Sequence, residues 1–380
     1  MIDAIAHTLD TNGMENSHTW TAIGLMSGTS MDGIDAALIR TDGRDNIEVE
    51  RFRSAPYDAG FRDRLRSILG GQGQVDEVER DLTDLHVAAV QDLLVEADLP
   101  ASEVDLVGFH GHTILHQPEL GRTWQIGDGV RLARALGIDV VADLRSADVA
   151  AGGQGAPLAS AYHRALVGGL DLPLAVLNVG GVANVTWIGS TSDIGAAEIL
   201  AFDTGPGNAL LDDWVAAEAG IPFDRDGEIG RSGKVERGRL ATLLAHPYFE
   251  RPAPKSLDRD DFIESARTAL MGLSVADGAA LLTAFTVETI ARAANQFPTP
   301  AKRWIVCGGG RKNSAIMDGF ARALGVDVVD CDTLGWDGDA LEAQAFAYLA
   351  VRSRLGLTVS FPGTTGTPRA ITGGVLFPKA

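Results

Sequence analysis

Cysteine is nearly absent. Cys307 and Cys331 are the only two in 380 residues, which fits reduced thiols better than a secreted disulfide framework. Basic residues are also scarce, 32 against 51 acidic ones for a formal charge of −19, and this argues against nucleic acid or an anionic membrane as the main partner. No window offers the roughly 18 uninterrupted apolar residues that a membrane span needs. Residues 1–20 carry no Lys or Arg and no long apolar block, so the expectation is a loose N-terminal extension without a signal peptide, on a soluble cytoplasmic protein. Several nucleotide signatures are missing as well: G-x-x-x-x-G-K-[ST], the protein-kinase set of Gly-rich loop, H-R-D and D-F-G, and a strand-to-helix G-x-G-x-x-G.

What is present begins with Gly28-Thr29-Ser30-Met31-Asp32-Gly33, set between an apolar entry and an apolar alternating exit. Strand, tight turn, strand is the reading. Such a turn brings backbone N–H groups and hydroxyls against a phosphate, and glycine permits close approach and positive φ. Asp32 and Asp35 stand beside it as candidates for a divalent cation, directly or through water. The length fits two or three domains, and a chain of this size buries about 75% of its unfolded surface without a metal or disulfide staple.

Along the chain, Thr21–Ser27, Ile34–Arg40 and Ile47–Ser54 read as an antiparallel meander. In Gln74–Leu99, Val75, Val78, Leu82, Leu85, Ala89 and Leu93 share one helical face. Strands at Val104–Phe109 and Asp139–Leu144 flank a helix at Gly129–Leu136, which gives a mixed α/β sheet. Periodicity lapses at Ala150–Pro157, a domain boundary or cleft-lining loop. Leu174–Val179, Gly180–Gly181 and Val182–Ile188 then repeat the opening logic, so a structural duplication is expected despite low identity. The strand Glu198–Phe202 is expected to stop at Asp203-Thr204-Gly205-Pro206-Gly207-Asn208, ahead of a helix over Ala209–Ala219. Trp304–Cys307 runs as a strand into Gly308-Gly309-Gly310, and a helix spans Asp339–Leu355.

Four glycine-marked turns thus follow apolar strands, at Gly28–Gly33, Gly180–Gly181, Gly205–Gly207 and Gly308–Gly310. Strand ends are where open α/β sheets place their ligands, and together the four favour a nucleotide cleft. His110, His112 and His116 raise the question of zinc, but no further spaced His or Cys completes a ligand set.

GLMSGTSMDGID, DLRSADVAAGGQGAPL, LNVGGVANV, FDTGPGN, CGGGRKN and TTGTPRAITGGVLFP, in this order, resemble the anhydro-N-acetylmuramic acid kinase family over about Ile23 to Pro378. The resemblance implies the sugar kinase/Hsp70/actin fold, two ribonuclease-H-like domains closing on ATP. It also implies the reaction: 1,6-anhydro-N-acetylmuramic acid is opened by water and phosphorylated on O6, in peptidoglycan recycling. Domain I would span 21–148, joined by 361–380, and domain II 149–360. On this resemblance Asp203 is the general base, with a helix cap as its ordinary alternative. Gly28 to Gly33 hold the nucleotide with Gly205, Gly308, Gly309 and Gly310, and Asp32 and Asp35 orient Mg²⁺ or its waters.

Arg145 is the candidate for the sugar's lactyl carboxylate, against a plain salt bridge. Asp148 lies in the same stretch beside the sugar site, Thr113 in the pocket, and Glu342 opens the last helix, where its alternative is a favourable charge at a helix N-terminus. The family usually reads H-G-Q-T where this chain has His110-Gly111-His112-Thr113, which puts the sugar contact at His112 in question. A homodimer is also implied. Two other functions stay open at this level: a nucleotide-switched binding protein of the actin or chaperone type, and a kinase of an ordinary hexose.

Overall fold

The computed structural model describes residues 18–190 and 198–379. The expected N-terminal extension lies outside the described residues up to position 17, and Trp20 already belongs to the first strand.

Three strands, β1 (Trp20–Ser27), β2 (Gly33–Thr41) and β3 (Ile47–Pro56), form the antiparallel meander. Helices α1 (Ala59–Ser67) and α2 (Val75–Glu96) follow, and then β4 (Leu106–Gln117) runs parallel to β1. β5 (Arg122–Ile126) folds back on β4, α3 spans Gly129–Leu136, and β6 (Val140–Ala142) lies parallel to β4. Two short helices, α4 (Ser146–Ala150) and α5 (Ser160–Leu166), lead into the second half.

There β7 (Leu174–Val179), β8 (Val182–Ile188) and β9 (Ile199–Pro206) make another antiparallel meander. After α6 (Ala209–Ala219), α7 (Glu228–Ser232), α8 (Arg237–Leu244), α9 (Ile263–Leu270) and α10 (Val275–Ala293), β10 (Arg303–Cys307) pairs parallel to β7. α11 (Ser314–Leu324) precedes β11 (Asp327–Asp330), parallel to β10. The chain ends with α12 (Leu341–Arg354), α13 (Pro362–Thr365) and β12 (Val375–Phe377), which returns to pair with β6.

One sheet contains the run β3-β2-β1-β4-β6, extended by β12 beyond β6 and by β5 on β4, and the other is β9-β8-β7-β10-β11. Position by position the directions agree as well: two antiparallel pairings followed by two parallel ones. This is the ribonuclease-H-like order used twice, so the expected duplication holds at the level of topology.

Local signals explain most elements. Val75, Val78, Leu82, Ala89 and Leu93 bury one face of α2, whereas Leu85 stands off that face at 37% exposure. Asp128 caps α3 by accepting from the Arg131 N–H. Two expectations need correction. β9 does not stop before Asp203 but carries it, continuing to Pro206. And α12, which follows the second half in sequence, packs on β1, β2 and β4 of the first sheet. Glycine makes that contact possible: a Cβ on Gly24 would sit 1.8 Å from the Ala343 carbonyl oxygen, and one on Gly108 2.1 Å from that of Phe346.

Candidate functional site

The turn between β1 and β2 is closed by the Met31 N–H donating to the Gly28 carbonyl at 3.0 Å. Met31, not a glycine, takes the left-handed conformation at φ 55, with its side chain buried. That anchors the turn from below and leaves Thr29, Ser30 and Asp32 exposed. The Ser30 hydroxyl donates to the Asp32 carboxylate at 2.7 Å. Beneath it, Ser27 Oγ joins Tyr57 Oη at 2.7 Å and His112 Nδ1 at 2.9 Å. His112, expected at the sugar pocket, is fully enclosed at 0% exposure; its ring supports the base of the turn.

Asp35 follows on β2. Burial first, then the neighbouring charges of Asp32, Glu342 and Asp339, push its carboxyl up to about 7, against a hydrogen bond from Ser54 that lowers it. Of these neighbours Asp339 is already paired with Arg311 and Lys312 and Glu342 bonded to Asn178, which leaves Asp32 beside Asp35. Among the described residues the one His/Cys/Asp/Glu trio with ligand atoms within 4.8 Å is Asp330, Cys331 and Asp332, already neutralised by Arg311. A cation near Asp32 and Asp35 would thus keep waters in its shell.

Asp203 sits on β9 at a register shift opposite Ala183 and Asn184, with Asn184 facing Asp203 and Ala183 facing Gly205. Thr204 is the extra residue of the bulge, a device that re-aims its neighbours. The segment 248–257 wraps around this carboxylate. Leu257 N–H donates to Asp203 Oδ2 at 2.8 Å, the Asp203 N–H donates to the Lys255 carbonyl at 3.0 Å, and the Tyr248 hydroxyl donates to the Asp203 carbonyl. Burial pushes the Asp203 carboxyl up to about 7, opposed by the Leu257 N–H and the positive charge of Arg145. It caps no helix: Asn208 holds that position for α6.

Arg145 lies in the combined field of the Glu342, Asp203 and Asp148 carboxylates. Its Nε donates to His110 Nε2 at 3.0 Å and its Nη1 to the Gly155 carbonyl. Since His110 Nδ1 faces the Gly111 carbonyl at 2.9 Å, that nitrogen holds the proton and Nε2 is the acceptor, a neutral ring. Burial and Arg145 keep its titration well below the ordinary histidine range. A regular strand would place His110 and His112 on one face. Gly111, at φ 72, bulges the strand, so His110 turns to Arg145, His112 to Ser27, and His116 to Thr123. The three do not converge on a metal.

Both Asp148 oxygens are committed, Oδ1 to the Gly155 N–H and Oδ2 to the Ser360 and Thr365 hydroxyls. Asp148 therefore fastens the loop after α4 to the C-terminal segment. Thr113 Oγ1 accepts from Gln125. Glu342, at the start of α12, accepts from Asn178 Nδ2 at 3.1 Å; burial raises its carboxyl, with Arg145 opposing.

The glycines divide by what surrounds them. A Cβ on Gly33 would meet the Ala55 carbonyl at 2.5 Å, one on Gly205 would meet Thr289 at 2.8 Å, and one on Gly310 Val179 at 2.3 Å; these serve packing. Gly308 combines φ 74 with an Asn178 Oδ1 only 2.2 Å from its would-be Cβ. A Cβ on Gly28 or Gly309 would meet only ordinary van der Waals contacts, Ser30 Oγ at 3.4 Å and Asn208 Nδ2 at 3.8 Å, so packing does not demand glycine at these two positions. The reading of the sequence missed Asn178, Tyr248, Leu257 and the Ser27–Tyr57 support. Leu257 acts through its backbone, which leaves no side-chain signal, while Asn178 closes a strand just as Asp203 sits near the end of another.

Two sheets of one topology, with an exposed hydroxyl-rich turn on the first and a buried carboxylate on the second, define a two-domain protein of the ribonuclease-H-like ATPase and sugar-kinase class. The profile of the family described as Anhydro-N-acetylmuramic acid kinase matches residues 20–379. The chain is 54% identical to a protein of that name from Paramagnetospirillum magneticum, over 93% of this chain and 98% of that one. It is also 54% identical to one from Rhodospirillum rubrum, over 94% of each. This chain belongs to the anhydro-N-acetylmuramic acid kinase family. Among solved structures, component A of Acidaminococcus fermentans (R)-2-hydroxyglutaryl-CoA dehydratase overlays with a TM-score of 0.49 at 13% identity, covering 88% of this chain and 99% of that one.

Proposed function

We propose that this chain is an ATP-dependent kinase that opens 1,6-anhydro-N-acetylmuramic acid with water and phosphorylates O6, yielding N-acetylmuramic acid 6-phosphate for cell-wall recycling. Near-full-length identity of 54% to two relatives bearing that enzyme's name supports the reaction. The observation that carries the mechanism is the Asp203 carboxylate, buried, gripped by Leu257 N–H and poised at about 7. A base near neutrality removes a proton from the attacking water while remaining unprotonated in a useful fraction of molecules.

In this reading Asp203 takes the proton from the water that attacks the anomeric carbon, and O6 departs toward the γ-phosphoryl group. Arg145 stabilises the ionised Asp203 and receives the lactyl carboxylate; among the described residues no carboxylate ion-pairs with it, so its remaining N–H donors are available. The exposed Gly28–Asp32 turn receives the phosphates, and the Gly308–Gly310 turn lies against the nucleoside. Asp32 and Asp35 would hold Mg²⁺ through its waters, where it would neutralise phosphate charge. The halves built on the two sheets close on the substrates, with α12 packed on β1 of the first and tied to β7 of the second through the Asn178–Glu342 bond. The protein works in the cytoplasm as a homodimer.

The test is phosphoryl transfer to the anhydro sugar against a panel of ordinary hexoses, run in heavy-oxygen water. Phosphosugar carrying the label at the anomeric carbon is expected. Unlabelled product would make the chain a simple hexose kinase, and sugar-independent ATP turnover a nucleotide switch.

A further inference from the structure

Arg145 is not the only cation lacking a carboxylate. Among the described residues four Lys and Arg side chains are less than a tenth exposed: Arg164, Lys255, Arg311 and Arg352. Arg164 pairs with Asp45 and Arg311 with Asp330, Asp332 and Asp339. Arg352 has no carboxylate but spends its donors on the Thr358 and Gly43 carbonyls and on the Tyr348 and Thr358 hydroxyls. Lys255, 3% exposed, makes a single hydrogen bond among the described residues, to the Tyr248 carbonyl at 3.0 Å, and lies 4.5 Å from the centre of the Tyr248 ring. Among the described residues, two of its three N–H groups have no hydrogen-bond acceptor. An ammonium taken out of water with so little compensation is costly, and burial lowers its pKa to about 8.

Lys255 also lines a cavity of about 260 Å³ bordered by Thr204, Glu250, Thr289, Arg292 and Asn295. Thr204 and Thr289 turn their hydroxyl protons to backbone carbonyls, so their oxygens face outward only as acceptors. The donors left for a guest are therefore Lys255, the rest of the Arg292 guanidinium, whose Nη1 reaches the Leu244 carbonyl, the Asn295 amide, and the second N–H of the Gln296 amide, whose other N–H reaches the Arg251 carbonyl. Glu250 is the one acid on the rim. In a chain of net charge −19, two cations to one acid around a concave site is a local inversion of sign.

We infer that this cavity, behind the strand that carries Asp203, is a second binding site for a phosphate oxyanion, with Lys255 as its buried anchor and Arg292 as its outer cation. It is separate from the cleft described above, since neither the Gly28–Gly33 turn nor Asp203 lines it. Its wall is nonetheless continuous with the site, because the Lys255 carbonyl accepts from the Asp203 N–H and the Tyr248 hydroxyl donates to the Asp203 carbonyl. A bound oxyanion would hold Lys255 charged and stiffen the segment that positions Asp203. The source is either free phosphate or the phosphate end of a phosphorylated sugar.

The experiment is calorimetric titration of the full chain with inorganic phosphate and, separately, with glucosamine 6-phosphate, at constant ionic strength and with the cleft saturated by a non-hydrolysable ATP analogue. Saturable binding of at least one ligand is expected, weakened about 10-fold or more in Lys255→Met, the range for losing a charged hydrogen bond. Because a buried substitution risks misfolding, Arg292→Ala on the rim is the second variant, with its melting curve as a fold control and a several-fold weakening expected. Site-resolved reductive methylation supplies the third readout: phosphate should slow reaction of Lys255 and leave exposed Lys302 unchanged. Preference for the free ion over the sugar phosphate, or the reverse, identifies the source. No saturable binding, binding unchanged in both variants, or Lys255 methylation indifferent to ligand would overturn the site. None of these readouts requires turnover, so failure of the proposed reaction would leave this test intact.

Discussion

The first turns of the two sheets occupy equivalent places in one topology and serve opposite ends. Between β1 and β2 five residues intervene, and Thr29, Ser30 and Asp32 stand exposed above the buried Met31. Between β7 and β8 there are only Gly180 and Gly181, and their carbonyls are already occupied: Gly180 by the Asn208 N–H and side chain, Gly181 by the Gly207 and Ala209 N–H groups. Three extra residues turn a docking point for α6 into an open, hydroxyl-bearing cradle. The shared fold supplies the position; turn length and hydrogen-bond satisfaction decide whether a ligand has anything left to bind.

The strongest test of that division of labour is Asp203→Asn. Turnover on the anhydro sugar should fall roughly 10²–10⁴-fold, the range for a lost general base, while ATP binding, assigned to the other sheet, holds in a direct titration. Near-normal turnover would remove Asp203 from the chemistry. The wild-type rate should climb with pH and level off above about 7, where Asp203 loses its proton.

The same group makes a prediction about stability with a definite sign. Its folded value is raised from 3.8 to about 7, so its contribution is fully present below pH 4 and lost as pH rises through 7. Asp203→Asn, which cannot ionise, should therefore melt higher than wild type at pH 8, by about 2–5 °C for a chain of this size, and the gap should close toward pH 4. A gap that widens in acid would contradict the assigned burial.

Smaller effects separate the two turns directly. Asn208→Ala strips the second turn of side-chain bonds to Val179 and Gly180 and should cost about 1 kcal/mol in denaturant unfolding, with nucleotide affinity kept. Ser30→Ala on the first turn should do the reverse, raising the KM for ATP several-fold, about 1 kcal/mol of lost binding, with no change in melting. If both variants behaved alike, the contrast between cradle and dock would fail. His112→Gln should be milder still, within about 1 kcal/mol of wild type in stability, because an amide can also reach Ser27.

Much of this molecule was legible in its residues. Hydrophobic period and glycine punctuation are local, so β7, β8, α3 and α6 could be bounded to the residue, and the ordered motifs carried the family. Asp203 was legible as a carboxylate at a strand end, though not as part of the strand, because the bulge at Thr204 depends on β8. Gly205 and Gly33 could not be told from Gly28 and Gly309 by sequence, since what a Cβ would strike lies on α10 or β3. His112 read as a pocket residue until the β4 bulge turned it inward.

The sequence by itself determined many of the elements, the doubled meander and the family, because each depends on neighbours along the chain or on ordered motifs. Tertiary structure alone decided which groups are poised: Asp203 owes its value near 7 to enclosure, only partly offset by the N–H of Leu257, 54 positions away, and Lys255 its missing counter-ion to a cavity assembled from β9 and α10. Desolvation is a property of everything packed around a group, and no local stretch of residues encodes it.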